Sequence, residues 1–198
     1  MTTVKGSNLN GLLREIAACR VCEAFLPLGP KPTLRASATA RLLIVGQAPG
    51  TRVHNTGIPW NDPSGDRLRE WLQLDRETFY DAARIAIVPM GFCYPGRGKS
   101  GDLPPRPECA RLWHERLLQC MPALELTLLI GRYAQAHYLP QCGPTLAATV
   151  RNWQAAPPGL FPMPHPSPRN RLWLKRNVWF EADVLPELRT RVQRALRH

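Results

Sequence analysis

The chain has 198 residues, 44% of them hydrophobic, and a formal charge of +11. Length and apolar content suit a single domain, 1–198, with a real core, and no apolar stretch reaches the length of a membrane span. The excess of Lys and Arg points to a polyanion, nucleic acid first and an anionic membrane surface second, with non-specific basicity left open.

Met1-Thr2-Thr3-Val4-Lys5-Gly6 lacks the apolar run of a secretory signal, so a cytoplasmic, nucleoid-associated location is expected. Apolar positions at Leu9, Leu12, Leu13, Ile16 and Ala17 predict an amphipathic helix over 8–20. Pro27 to Pro32 reads as loop, and Leu42 to Val45 as a buried strand. Asp62-Pro63-Ser64-Gly65-Asp66 carries the signature of a helix start, with Leu68, Trp71 and Leu72 as its buried face. Ile85 to Val88 is a second strand. Gly91 to Pro107 is Gly/Pro-rich and too long for a simple connection, which marks it as functional. Further elements are a helix from Glu108 to Gln119, a strand Leu126–Ile130, a helix from Gly131 to Tyr138, a strand Leu160–Met163 and a final helix from Trp179 to Leu196. Strands alternating with helices predict a three-layer α/β/α sandwich around a mostly parallel, four-stranded sheet.

Two short turns then stand out. Gly46-Gln47-Ala48-Pro49-Gly50 follows the first strand, and His165-Pro166-Ser167-Pro168-Arg169-Asn170 follows the last. The carboxyl ends of parallel strands open into one crevice. Backbone N–H groups from one turn and an imidazole from the other can therefore face one bound group.

Six cysteines are present. Cys19-x2-Cys22 is a chelating pair, and Cys93 and Cys109 are separated by fifteen intervening residues. In a reducing compartment such thiols serve metals or chemistry more often than disulfides. Four thiolates suit a 4Fe–4S cluster or zinc, and ordinary buried cysteines are the third reading. Cys120 and Cys142 are read as packing residues.

With these segments in order, the chain resembles the uracil-DNA glycosylase superfamily. Residues 42–72, LLIVGQAPGTRVHNTGIPWNDPSGDRLREWL, are similar to the first motif region of its family 4, iron–sulfur-containing branch. HPSPRN, 165–170, is similar to the second motif of the single-strand-selective monofunctional branch. The resemblance spans residue 8 to about 195. It implies a monomeric glycosylase that hydrolyses the N-glycosidic bond of uracil or another deaminated base in DNA. It also implies a 4Fe–4S cluster on Cys19, Cys22, Cys93 and Cys109.

Base release makes the sugar cation-like and the departing base anion-like. His165 is the candidate hydrogen-bond donor to the leaving group. Trp60 aligns with the family's stacking aromatic, with an ordinary core tryptophan as the competing reading. Gly46, Gln47, Ala48, Pro49 and Gly50 form the base-side turn. Ser167, Arg169 and Asn170 belong to the loop that, in the family, pushes into the duplex and contacts phosphate.

Three departures from the family pattern matter. Gln47 stands where family 4 has Glu, and a neutral amide is no general base, though it can orient water; Asp62, Asp66 and Asp102 are the carboxylates that could replace it. Pro89 stands where family 4 has an Asn that reads the pyrimidine edge. Finally, the loop between Cys93 and Cys109 contains no His, so the covalent trapping seen in one branch is not expected.

Rival readings keep the fold and drop or change the reaction: a catalytically weak or inactive DNA-binding relative, or a glycosylase for hypoxanthine. A structural metal-bound module that contacts nucleic acid by charge is a further one. Gly96-Arg97-Gly98-Lys99-Ser100 looks like the end of a phosphate-binding P-loop, but Cys93 replaces the required Gly and Pro104-Pro105 forbids the helix that should follow.

Overall fold

The computed structural model describes residues 8–99 and 101–197. The N-terminal reading at Met1–Gly6, and Ser100 of the P-loop-like stretch, lie outside these.

The helix α1 (Leu9–Ala17) is capped by Asn8, whose side chain accepts from the Asn10 N–H, and buries Leu12 and Ile16. Then come β1 (Leu42–Val45), α2 (Thr51–Thr56), α3 (Pro63–Leu72), α4 (Arg76–Tyr80) and β2 (Ile85–Ile87). A small hairpin of β3 (Arg97–Gly98) and β4 (Gly101–Asp102) follows. Next α5 (Pro107–Cys109) runs through a π-helical stretch, Ala110–His114, into α6 (Glu115–Gln119). The chain continues as β5 (Leu126–Ile130), α7 (Arg132–Tyr138), α8 (Leu146–Arg151), β6 (Leu160–Met163) and α9 (Arg171–Arg176). A second π-helical stretch, Phe180–Val184, leads into α10 (Leu185–Ala195).

The main sheet has the order β2-β1-β5-β6 and every pairing is parallel. This is the expected α/β architecture. Side chains alternate across it, so Leu42 and Ile44 enter one core layer with Leu68, Trp71, Leu188 and Val192. Leu43 and Val45 enter the other with Leu12, Ile16, Leu117 and Ala134. Burial on both faces is why β1 reads as an unbroken apolar run and β5 as one interrupted only by Thr127. The outer edge of β2 is covered by the chain at Arg35, which exchanges two backbone hydrogen bonds with Ile87. Pro162 is tolerated because β6 is the opposite edge strand.

Four short helices, α2, α4, α8 and α9, are additions to the sequence reading. Each has five or six residues, too few for a periodic stripe. Cys120 is buried as expected; Cys142 is exposed, so its reading as a packing residue is wrong. The P-loop-like stretch forms the hairpin instead, with Arg97 opposite Asp102, and no helix begins before Pro107. Among the described residues no helix is long and apolar enough to cross a membrane.

Candidate active site and cysteine cavity

The turns after β1 and β6 meet over the carboxyl end of the sheet. They enclose a cavity of about 440 Å³ lined by Gly46, Gln47, Ala48, Pro49, Gly50, Trp60, Asp62, His165, Ser167, Arg169 and Asn170. The motif residues predicted from the sequence, cysteines aside, therefore reach one pocket. Pro89 and Asp102 line it too. Asp66 does not: its carboxylate is largely solvent-exposed and pairs with Arg69, which removes it as a replacement for the missing motif carboxylate. Sequence reasoning missed Thr33 and Ser64, buried polar residues of the lining. Thr33 comes from the irregular strip beside β2, and no local pattern points to it.

The Ser167 N–H donates to His165 Nδ1 at 3.2 Å, so in the neutral ring the proton sits on Nε2. Burial holds the His165 pKa below its ordinary value, with Asp62 pulling the other way. The result is an uncharged imidazole with one N–H to give. Asn170 Nδ2 donates to the His165 carbonyl at 2.7 Å, and Arg67 on α3 reaches the Ser167 carbonyl at 3.4 Å. Both contacts fix the loop that carries the ring. Asp62 caps α3 by accepting from the Gly65 N–H at 2.9 Å.

Trp60 lies against His165, with ring centroids 5.4 Å apart and planes inclined by 32°. Its backbone is in the left-handed region, φ 56°, which a side-chain-bearing residue adopts only under constraint. The constraint is visible. Tyr80 Oη donates to the Pro59 carbonyl at 2.9 Å, and Arg69 Nη1 reaches the Trp60 carbonyl at 3.5 Å. A Cβ on Gly65 would run into that same carbonyl, and one on Gly46 would lie 2.8 Å from Trp60 Cζ2. Two glycines thus make room for one tryptophan. Trp60 both packs against the core and lines the cavity.

Beneath the pocket, His114 is buried, stacked on Phe92, and holds the Pro89 carbonyl through Nε2 at 3.0 Å. A carbonyl only accepts, so Nε2 carries the proton and Nδ1 accepts from Tyr138 Oη at 2.6 Å. Burial pushes the His114 pKa down to about 4.

On the far side of Phe92 lies a second cavity, lined by Cys19, Cys22, Cys93 and Cys109 with Leu26, Pro30, Pro32, Phe92, Arg106 and Trp113. The four thiols come from three distant segments. Desolvation raises the pKa of Cys22 and Cys93 and pushes Cys109 up to about 12. The Phe92 N–H donates to Cys109 Sγ at 3.5 Å; the Lys31 backbone beside Cys93 and the Arg106 side chain beside Cys22 favour the thiolates, with Glu108 opposing at Cys22. Donors aimed at sulfur, in an apolar shell, are what a thiolate-held cluster uses. Among the described residues no group of three or more His, Cys, Asp and Glu side chains forms a ready-made site for a metal ion. A 4Fe–4S cluster takes one thiolate at each of four corners and spreads its sulfurs wider than a single tetrahedral ion does.

Comparison with known proteins identifies the frame that carries the pocket between the two turns. Residues 35–189 match the family described as the Uracil DNA glycosylase superfamily.

Proposed function

Because the chain belongs to the Uracil DNA glycosylase superfamily, we propose that it excises a deaminated base from DNA at the pocket shared by Trp60 and His165. The observation that carries this reading is the neutral, half-buried imidazole beside an indole at the end of a parallel sheet. As the C1′–N bond breaks, negative charge grows on the base, and His165 Nε2–H donates to it. A neutral donor suits an anionic leaving group without requiring full proton transfer. Trp60 supplies a flat apolar face for the extruded base, and that face suits any base. Arg169, together with Arg171, Lys175 and Arg176 exposed on and beside α9, would meet phosphates.

Cys19, Cys22, Cys93 and Cys109 would hold a 4Fe–4S cluster. When bound, it would staple the segment just after α1 and the end of α5 to the loop after β2. The chain's own Lys31 and Phe92 backbone and Arg106 would hydrogen-bond the thiolates.

Pro89 in the lining favours a second reading of the substrate. It offers no side-chain donor or acceptor to a pyrimidine edge. Hypoxanthine or xanthine would then be taken in place of uracil by the same fold.

Single-turnover assays on oligonucleotides carrying uracil, hypoxanthine or xanthine test both readings. Abasic product from at least one is expected, with His165→Ala slowed about 100-fold or more and DNA binding retained. DNA binding without product from any substrate would overturn the glycosylase reading. Undiminished release by His165→Ala would overturn the role of the imidazole.

A further inference from the structure

The turn after β1 has no ionisable side chain, although the reaction needs a group that holds and deprotonates water at C1′. Two carboxylates line the pocket, Asp62 and Asp102. Asp62 already accepts the N–H of Gly65 as the cap of α3. Asp102 arrives differently. It ends β4, and the hairpin is closed by Leu103 N–H donating to the Gly96 carbonyl at 2.9 Å. Gln47 Nε2 then donates to the Leu103 carbonyl at 3.0 Å, tying the hairpin to the turn after β1. The carboxylate is thereby held against Gly50, where a Cβ would lie 3.4 Å from Asp102 Oδ2. Arg169 of the opposite turn lies over Gly101, where a Cβ would sit 2.5 Å from its Nη1.

We propose that Asp102 is the water-activating carboxylate and that Gln47 is its positioning residue, the two together replacing a carboxylate within the turn itself. This rests on the glycosylase reading. The water oxygen bonds to C1′ and its proton passes to Asp102. The C1′–N bond breaks, its electron pair stays on the base nitrogen, and His165 stabilises the resulting anion. The proton later leaves Asp102 with the product. A glutamate at position 47 could not donate to the Leu103 carbonyl, so an amide is the side chain this arrangement requires.

The test uses the full chain and the substrate it cleaves best in the three-base panel. Asp102→Asn is expected to slow single-turnover base release about 100-fold. Its affinity for the same oligonucleotide should stay equal or rise, since a negative charge facing DNA is lost. Gln47→Leu should slow release with an unchanged melting temperature, because the hairpin is untethered rather than unfolded. Asp62→Asn should cost less in rate than Asp102→Asn, and thermal melts of all three variants exclude misfolding. An active wild type with Asp102→Asn within threefold of its rate overturns the inference alone. A wild type inert on all three bases overturns the glycosylase reading and the inference with it.

Discussion

Gly46 is the sharpest test of how the pocket is built. A methyl group there would lie 2.8 Å from Trp60 Cζ2, whereas ordinary contact begins at 3.4 Å, so the indole must retreat by about 0.6 Å. It has little room to do so. His165 packs against the ring, and the backbone is pinned by Arg69 and by the fit of Gly65 under the Trp60 carbonyl. Overpacking of this kind costs about 1–3 kcal/mol. For a chain of this size that lowers Tm by roughly 2–12 °C. Trp60→Phe removes the outer ring that carries Cζ2 and relieves the crowding. A double-mutant cycle of Gly46→Ala and Trp60→Phe, followed by thermal melts and denaturant titration, should therefore show a favourable coupling of at least about 1 kcal/mol. Effects that add within about 0.5 kcal/mol would refute the seat assigned to the indole.

Other outcomes follow from the same contacts. Gly65→Ala should destabilise by about 3 kcal/mol or more, because its Cβ meets backbone rather than a movable side chain; a melting temperature unchanged from wild type would contradict this. His114 titrates near its ordinary value in the unfolded chain and near 4 when folded, so between pH 6.5 and about 4 the unfolded state binds more protons. Its contribution of about 3 kcal/mol is complete above pH 6.5 and disappears as pH falls to about 4. His137 and Tyr138 face this ring. His114→Gln should flatten the fall in Tm over that interval, and parallel curves would count against it. Protein purified without oxygen should be brown and carry about four irons; Cys93→Ser should bleach it, and a colourless wild type would remove the cluster.

How much of this was legible in the sequence depended on the range over which each feature is specified. The main strands were legible because burial on both faces leaves an apolar run that needs no partner to recognise. α2 and α4 were not: their ends are set by single local events, the left-handed Gly57 and the Asp75 cap that accepts from the Thr78 N–H. The two turns of the pocket were legible because strand ends in a parallel sheet share a direction. Thr33 was not, since it joins the lining through a backbone bond to the Phe92 carbonyl, fifty-nine residues along the chain. The carboxylates make the same point in chemistry. Asp62, Asp66 and Asp102 are equivalent as letters, and only the fold leaves Asp66 outside the pocket while Gln47 tethers the hairpin whose Asp102 lines it. The turn after β1 carries no charge of its own but keeps a donor, and that donor holds a loop whose carboxylate lines the same cavity.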